Sequence, residues 1–298
     1  MLLTEFAIAC NNEGAQLFEC ENYKYARRMF QTAMTIMQLI AQGIIAQESS
    51  FESFLSSCST IYLDQEQQNK IKWAWQTIHK TRGSIDTTES CSAQALSSNE
   101  QETNKNHPGN LCNTNSVCCM NESSETTACT TYCKPIQLFD MVVAEEQDGP
   151  NMLLEFYATA MIFNMGLMYH IGKSKSLSIS SFDSLKNALG LYDIAYSTLK
   201  DHHDNMIMGG NYPRELFLSH YRLLISIMNN VAQIHEELGS FDSMRLCLGS
   251  ITSFFDELAL LAPSLSNADS AEYVDFLEEM SSLILFAEVF EVSVASAA

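Results

Sequence analysis

The sequence has few residues that favour turns and few basic residues. It contains only 12 glycines and 5 prolines among 298 residues, which argues against an all-β fold, because β-sandwiches and barrels need many turns. Lys and Arg together number 16 against 36 Asp and Glu, so the formal net charge is −20. A chain this acidic is repelled by phosphate backbones and by anionic lipid headgroups. The composition therefore predicts that neither a nucleic acid nor a membrane surface is a partner.

Long apolar segments and closely paired cysteines are also missing. No stretch approaches the ~20 uncharged apolar residues that cross a bilayer. The N-terminal residues carry no basic region of the kind that opens a signal peptide. The 10 cysteines include no Cys-x-x-Cys pair, so we interpret them as reduced thiols. Together these features predict a cytoplasmic or nuclear location.

Residues 83–134 differ from the rest of the chain in composition. Ser, Thr, Asn, Gln and Cys dominate, so the segment buries too little apolar surface to offset its chain entropy, and we predict a disordered insertion. Its cysteines suggest a zinc site, but only Cys129 and Cys133 have the spacing of a ligand pair, and structural zinc sites usually have two such pairs. We therefore predict no metal ion, and no other cofactor.

The sequence does contain apolar residues at helical spacing, interrupted by short polar breaks. The clearest example runs from Asn11 to Ala33, where helical spacing stops at Glu19–Asn22 and then resumes. This pattern indicates two antiparallel helices joined by a tight turn. The small residues Gly14 and Ala26 are expected where the two helices cross.

The same frame occurs three times, beginning at Asn12, Asn164 and Asn230. In the first unit it is G-x2-L-x5-Y-x2-A-x3-F-x2-A, which resembles the tetratricopeptide repeat (TPR). The overall texture is similar to that of TPR-like proteins of diatoms. The second unit has a longer turn, and the third keeps the spacing better than the residue types. The residues that carry the resemblance are Gly14, Leu17, Tyr23, Ala26, Phe30, Ala33, Asn164, Gly166, Tyr169, Ala188, Tyr192, Ala195, Asn230, Ala232, Gly239 and Phe241.

The resemblance implies an all-α fold, in which antiparallel helix hairpins stack as a short superhelix closed by a C-terminal capping helix. Residues 1–82, the first hairpin with an extra helix, and residues 135–298 are expected to form one structural domain across the insertion. TPR arrays generally act as non-catalytic scaffolds or adaptors that hold a partner peptide or helix in a groove. Carried over by position, the groove residues are Asn11, Ala15, Phe18, Glu19, Phe163, Leu167, His170, Asn229, Gln233, Glu236 and Glu237.

The charge of this predicted groove differs from that of TPR domains that bind chaperone C-termini, since those need Lys and Arg and none is present here. Glu19, Glu236 and Glu237 are acidic, and Phe18 and Phe163 supply apolar pockets. Opposite charges and matching apolar surfaces favour binding. We therefore predict a protein or peptide partner with apolar anchors and basic flanks.

An alternative function remains open from the residues alone. It is a helical enzyme or a thiol- or metal-dependent sensor, with His170, His235 and the cysteines as its candidate groups. The sequence shows no paired carboxylates, nucleophile elbow, metal-spaced cluster or glycine-rich phosphate loop, so we predict that the protein is not an enzyme. The adjacent His202 and His203 are predicted to lie in a solvated loop.

Overall fold

The structure, a computed structural model, describes residues 2–42, 65–83, 134–138, 149–172, 181–209, 214–265, 274, 276–278 and 280 of the chain. The regular elements within these residues are helices, and none is a β-strand. This agrees with the all-α prediction. The helices are α1 (Leu3–Glu19), α2 (Tyr23–Ala41), α3 (Gln65–Gly83), α4 (Gly149–Gly172), α5 (Ser181–Gly209), α6 (Arg214–Glu237) and α7 (Phe241–Leu265).

Helices that follow one another in the chain pack as pairs: α1 with α2, α4 with α5, and α6 with α7. In addition, α2 packs on α4 and α5 packs on α6, so each pair contacts the next one along the chain. The apolar stripe of each helix must be buried against another element. A single cluster of buried side chains runs through the pairs and includes Phe30, Phe163, Tyr192 and Tyr221.

Two glycines make room for an aromatic ring within their own helix pair. A Cβ atom at Gly14 would lie 2.8 Å from the ring of Phe30, and one at Gly166 would lie 2.7 Å from the ring of Tyr192. Real Cβ atoms essentially never come this close to another heavy atom. The nearest atoms to Gly14 belong to Phe30 and Met29, and Ala26, the other small residue expected at the crossing, is buried.

The turns between α1 and α2 and between α6 and α7 have the same hydrogen bonds. In the first turn the Asn22 N–H donates to the Leu17 carbonyl at 2.8 Å. In the second, the Ser240 N–H donates to the His235 carbonyl at 2.8 Å. A hydrogen bond from an N–H to the carbonyl five residues earlier, at the end of a helix, is characteristic of the Schellman motif. The two turns therefore match at the positions that the sequence frame aligns.

Each of these turns contains one residue in the left-handed backbone conformation. Gly239 has φ +69°, and Glu21 has φ +59° at the equivalent place. Glycine adopts this conformation without steric cost, whereas a residue with a Cβ atom does not. The first turn is therefore strained in a way that the second is not.

Helix α3 packs against the first pair through its two tryptophans. Trp73 stacks on Tyr25 of α2 with ring centroids 5.7 Å apart, and Trp75 meets Phe6 of α1 edge-on at 5.4 Å. The Arg28 guanidinium lies 4.7 Å from the Trp73 ring. Because the two indoles point to different sides of α3, they contact both helices of the pair.

The predicted loop at His202 and His203 is wrong, because α5 continues through these residues to Gly209. Leu199 and His203 are four residues apart, so they lie on one face of the helix. Both side chains are buried. The imidazole thus belongs to the buried stripe of α5 and not to a solvated connection.

The N-cap of α1 is Leu2. Helix α7 continues past Pro263 to Leu265. A proline in the last turn removes a single hydrogen-bond donor, so the helix can include it.

Several predictions lie outside the described residues. These are the disordered insertion apart from residues 83 and 134, its candidate zinc ligands Cys129 and Cys133, and most of the C-terminal capping helix. In that last region residues 274, 276–278 and 280 are helical, and Phe276 and Met280 are buried.

Candidate functional site

Residues 134–138 lie outside the helices and against α1 and α4, and their main chain pairs with asparagine side chains. Asn12 of α1 donates to the Leu138 carbonyl at 2.6 Å and accepts from the Leu138 N–H at 2.7 Å. One carboxamide thus pairs with both main-chain groups of a single residue. A neighbouring β-strand would satisfy these two groups in the same manner.

Asn164 of α4 repeats this arrangement two residues earlier in the segment. Its Oδ1 accepts from the Ile136 N–H at 2.7 Å, and its Nδ2 donates to the Ile136 carbonyl at 2.8 Å. Asn11 donates to the same carbonyl at 2.9 Å and accepts from Asn164 at 2.8 Å. Residues 136 and 138 both direct their N–H and carbonyl groups to these asparagines. This two-residue alternation is that of an extended chain, so we infer that the segment is extended. We call Asn11, Asn12 and Asn164 the asparagine ladder.

Burial makes these hydrogen bonds important for stability. Asn11 and Asn164 are buried and Asn12 is half-buried. A buried polar group that loses its partner costs about 1–3 kcal/mol. The amide nitrogen and oxygen of Asn12 and Asn164 must also be oriented one way, because only that orientation gives a donor and an acceptor to the same residue. All the partners are neutral, so the ladder recognises a main chain without any charge.

The side chains of the segment divide into anchors and exposed groups. Leu138 is 2 % exposed, Pro135 is buried, and Ile136 is half-buried against the core. Gln137 is half-buried and Lys134 is exposed. Proline fixes its own φ and favours an extended residue before it. The segment is therefore held by main-chain pairing together with aliphatic anchors.

The structure places most of the predicted groove residues in the protein interior. Glu19 and Glu237 are exposed, and Glu236 is half-buried. The buried ones are Asn11, Ala15, Phe18, Phe163, Leu167, His170, Asn229 and Gln233. Asn11 donates to the Ile136 carbonyl of the extended segment. The Nε2 atom of His170 lies 3.8 Å from the Oε1 atom of Glu237. A role of these positions in binding a partner stays a prediction.

The sequence pattern assigned Asn12 and Asn164 to the repeat frame and gave residues 134–138 no role. One signal could have identified the asparagines. Asn164 interrupts the apolar run of α4, and a buried asparagine requires hydrogen-bond partners. Asn230, at the third position of the frame, is also buried and donates to the Tyr192 hydroxyl at 3.2 Å. An asparagine thus recurs at one frame position, and in each unit it hydrogen-bonds to another element of the fold.

A second polar cluster joins α5, α6 and α7. The Nε2 atom of His203 lies 3.0 Å from a carboxylate oxygen of Glu257, and the His203 ring meets Tyr221 edge-on at 4.9 Å. Burial, with the nearby Glu257 carboxylate, raises the pKa of Tyr221 far above its ordinary value. The phenol therefore stays neutral, and the cluster ties the three helices together.

The candidate groups of the alternative function lie on different helices. His170 belongs to α4 and His235 to α6. Burial raises the pKa of the Cys10 thiol and raises that of Cys247 to about 11. Since the thiolate is the reactive form, these two thiols are poor nucleophiles at neutral pH. Within the ranges that the structure describes, no three His, Cys, Asp or Glu side chains are grouped so that they could hold a metal ion.

A cavity of about 490 Å³ lies where α2, α3, α4 and α5 meet. Its lining mixes polar residues such as Gln31 and Asn187 with apolar ones such as Met165. Among the described residues of that lining, Lys70 is the one that carries a charge. In the part of the chain that the structure describes, the cavity therefore has neither a carboxylate nor a histidine in its lining.

Comparisons of the chain with protein-family models, with curated proteins and with solved structures found no match. Among the described helices, none has both the length and the apolarity that crossing a bilayer would require. The function is therefore argued from the contacts of the site itself.

Proposed function

We propose that the protein is a non-catalytic interaction module, a divergent TPR-like array that binds an extended peptide segment of a partner protein along the asparagine ladder. The observation that carries this proposal is the pairing of Asn12 and Asn164 with the main chain of residues 134–138. Peptide recognition through the main chain gives affinity, while pockets for alternate side chains give specificity.

Two repeated features support the TPR-like part of the proposal. Gly14 faces Phe30 in the first helix pair as Gly166 faces Tyr192 in the second. The first and third pairs share the hydrogen bonds of their turns. Similar units that each contact their neighbour along the chain are typical of repeat proteins.

The chemistry of the segment supports the expected class of partner. An exposed Lys134 is followed by the buried Pro135 and by the aliphatic Ile136 and Leu138. The sequence predicts a ligand of this composition, with apolar anchors and a basic flank. We propose that a partner's segment has the same features and that the protein acts as a scaffold or adaptor in the cytoplasm or nucleus.

The experiment is a peptide-display selection against the full chain, followed by affinity measurements on the parent and on two variants. The double change Asn12→Ala with Asn164→Ala removes the ladder, while Asn187→Ala changes an exposed asparagine of α5 and serves as the matched control. Lost pairings with buried groups cost about 1–3 kcal/mol, which corresponds to a loss of affinity between about fivefold and about 140-fold. Selected peptides that bind all variants equally would refute the proposed function.

A further inference from the structure

We infer that residues 134–138 are an internal ligand, which occupies the asparagine ladder until a partner segment of the same chemistry displaces it. This role rests on the proposed function. The internal ligand specifies which peptide chemistry a partner must present, and it identifies residues 134–138 as the segment with which the partner must compete.

The bonds that hold the segment would serve another extended chain equally well. Five hydrogen bonds join the ladder to the segment, and all of them reach the main-chain N–H or carbonyl of Ile136 and Leu138. No side chain of the segment takes part in these five bonds. The ladder therefore recognises a backbone conformation, and an incoming peptide can reproduce every bond.

The positions of the segment define the chemistry of that peptide. The residues at positions 136 and 138 must keep their N–H groups, which excludes proline there. An aliphatic residue at position 138 fills the site in which Leu138 is almost fully buried. Pro135 precedes the first paired residue, and the exposed Lys134 leaves room for a basic residue at the start. The ligand class is thus an extended peptide with the order basic, proline, aliphatic, any residue, leucine.

Occupation by the internal segment weakens the binding of such a peptide. A peptide can pair with the ladder only in molecules whose internal segment has left it. The apparent Kd is therefore the intrinsic Kd divided by the fraction of molecules with an open ladder. A change that loosens the internal segment but leaves the asparagines intact should strengthen binding.

The test uses a fluorescein-labelled, terminally blocked Lys-Pro-Ile-Gln-Leu peptide and the full chain. Leu138→Pro removes the N–H group that donates to the Asn12 Oδ1 atom, and so it weakens the attachment of the internal segment. We expect the Leu138→Pro chain to bind the peptide at least tenfold more tightly than the unmodified chain by fluorescence anisotropy. Adding Asn12→Ala and Asn164→Ala should abolish the gain. A Lys-Pro-Pro-Gln-Pro peptide, which lacks both N–H groups, is the control and should bind neither chain.

The outcomes separate this inference from the proposed function. Equal affinity of the unmodified and Leu138→Pro chains would overturn the internal ligand and leave peptide binding by the ladder standing. Failure of both folded chains to bind would overturn the proposed function as well.

If Leu138→Pro prevents folding, hydrogen exchange of main-chain amides in the unmodified chain tests whether the peptide displaces the internal segment. Saturating peptide should accelerate exchange of the Ile136 and Leu138 amides at least tenfold, because it takes their place on the ladder. Protection that persists at the highest peptide concentration would overturn the internal ligand.

Discussion

Glu21 and Gly239 occupy the same left-handed position in two matching turns, at φ +59° and +69°. Only the second residue is a glycine. A side chain in this conformation destabilises the fold by roughly 1–2 kcal/mol. Replacing it with glycine removes that strain but also increases the conformational entropy of the unfolded chain, which offsets part of the gain in stability. The two turns therefore offer a matched pair of substitutions with opposite effects.

We expect Glu21→Gly to increase the free energy of unfolding by about 1 kcal/mol, and Gly239→Ala to decrease it by a similar amount. Urea unfolding followed by circular dichroism measures both changes. A Glu21→Gly chain that is less stable than the parent would show that the side chain of Glu21 contributes more to stability than its left-handed conformation costs.

The close approach of Gly166 to Tyr192 gives a second prediction. A methyl group at Gly166 would lie 2.7 Å from the ring, whereas one at Gly190 would meet nothing within 4 Å. We expect Gly166→Ala to destabilise the fold by about 1–3 kcal/mol through overpacking. Gly190→Ala, in the exposed part of α5, should stabilise it by up to about 1 kcal/mol, because alanine favours a helix interior.

A double-mutant cycle checks the cause of the first effect. If the clash with the ring is responsible, Gly166→Ala should cost clearly less in a Tyr192→Leu background. Equal costs in the two backgrounds would show that the ring of Tyr192 is not what excludes a side chain at Gly166.

Local spacing predicted much of the helical architecture. The apolar spacing and the polar break at Glu19–Asn22 were sufficient to predict α1, α2 and the turn between them, because helices and Schellman turns depend on residues a few positions apart. The same reasoning placed His203 in a loop. Its failure there has a physical cause: the buried face of α5 is completed by Glu257 and Tyr221, which lie on other helices.

The candidate site could not be predicted from local spacing. Asn12 and Leu138 are far apart in the sequence, and the same holds for Asn11 and Asn164. The frame position of the asparagines was visible, but their partners depend on where the extended segment returns to α1 and α4. Contacts of this kind follow from the tertiary fold, so only the recurrence of asparagine at one frame position pointed toward them.

A third prediction concerns the charge of the partner. Glu236 and Glu237 lie at the end of α6, whereas Glu278 is an exposed carboxylate in the C-terminal region. We expect Glu236→Gln and Glu237→Gln to weaken binding of a selected peptide that carries a basic flank. One exposed ion pair contributes about 0.2–1 kcal/mol, so each of the two substitutions should lower the affinity about fivefold at most.

Two comparisons control for general effects of charge. Glu278→Gln should leave the affinity unchanged, and added salt should reduce the difference between the parent and the Glu236→Gln and Glu237→Gln chains. Tighter binding of a peptide whose lysine is replaced by glutamate would show that the partner is not basic at its flank.

The last prediction contrasts two glutamates of α1, Glu13 and Glu5. Burial raises the pKa of the Glu13 carboxyl above its ordinary 4.5, so the folded state binds this proton more tightly than the unfolded state does. Stability is therefore lost as the pH rises from about 4.5 through the raised pKa, and below that range Glu13 costs nothing. Glu13→Gln should raise the unfolding temperature at pH 7 and leave it unchanged at pH 3.

Glu5 lies in the first turn of the same helix, where its carboxylate accepts from the Leu2 N–H at 2.8 Å and interacts favourably with the helix N-terminus. Glu5→Gln should therefore lower the unfolding temperature at pH 7. Thermal unfolding of the two variants at both pH values measures these effects, and a Glu13→Gln chain less stable than the parent at pH 7 would show that the ionised carboxylate stabilises the fold.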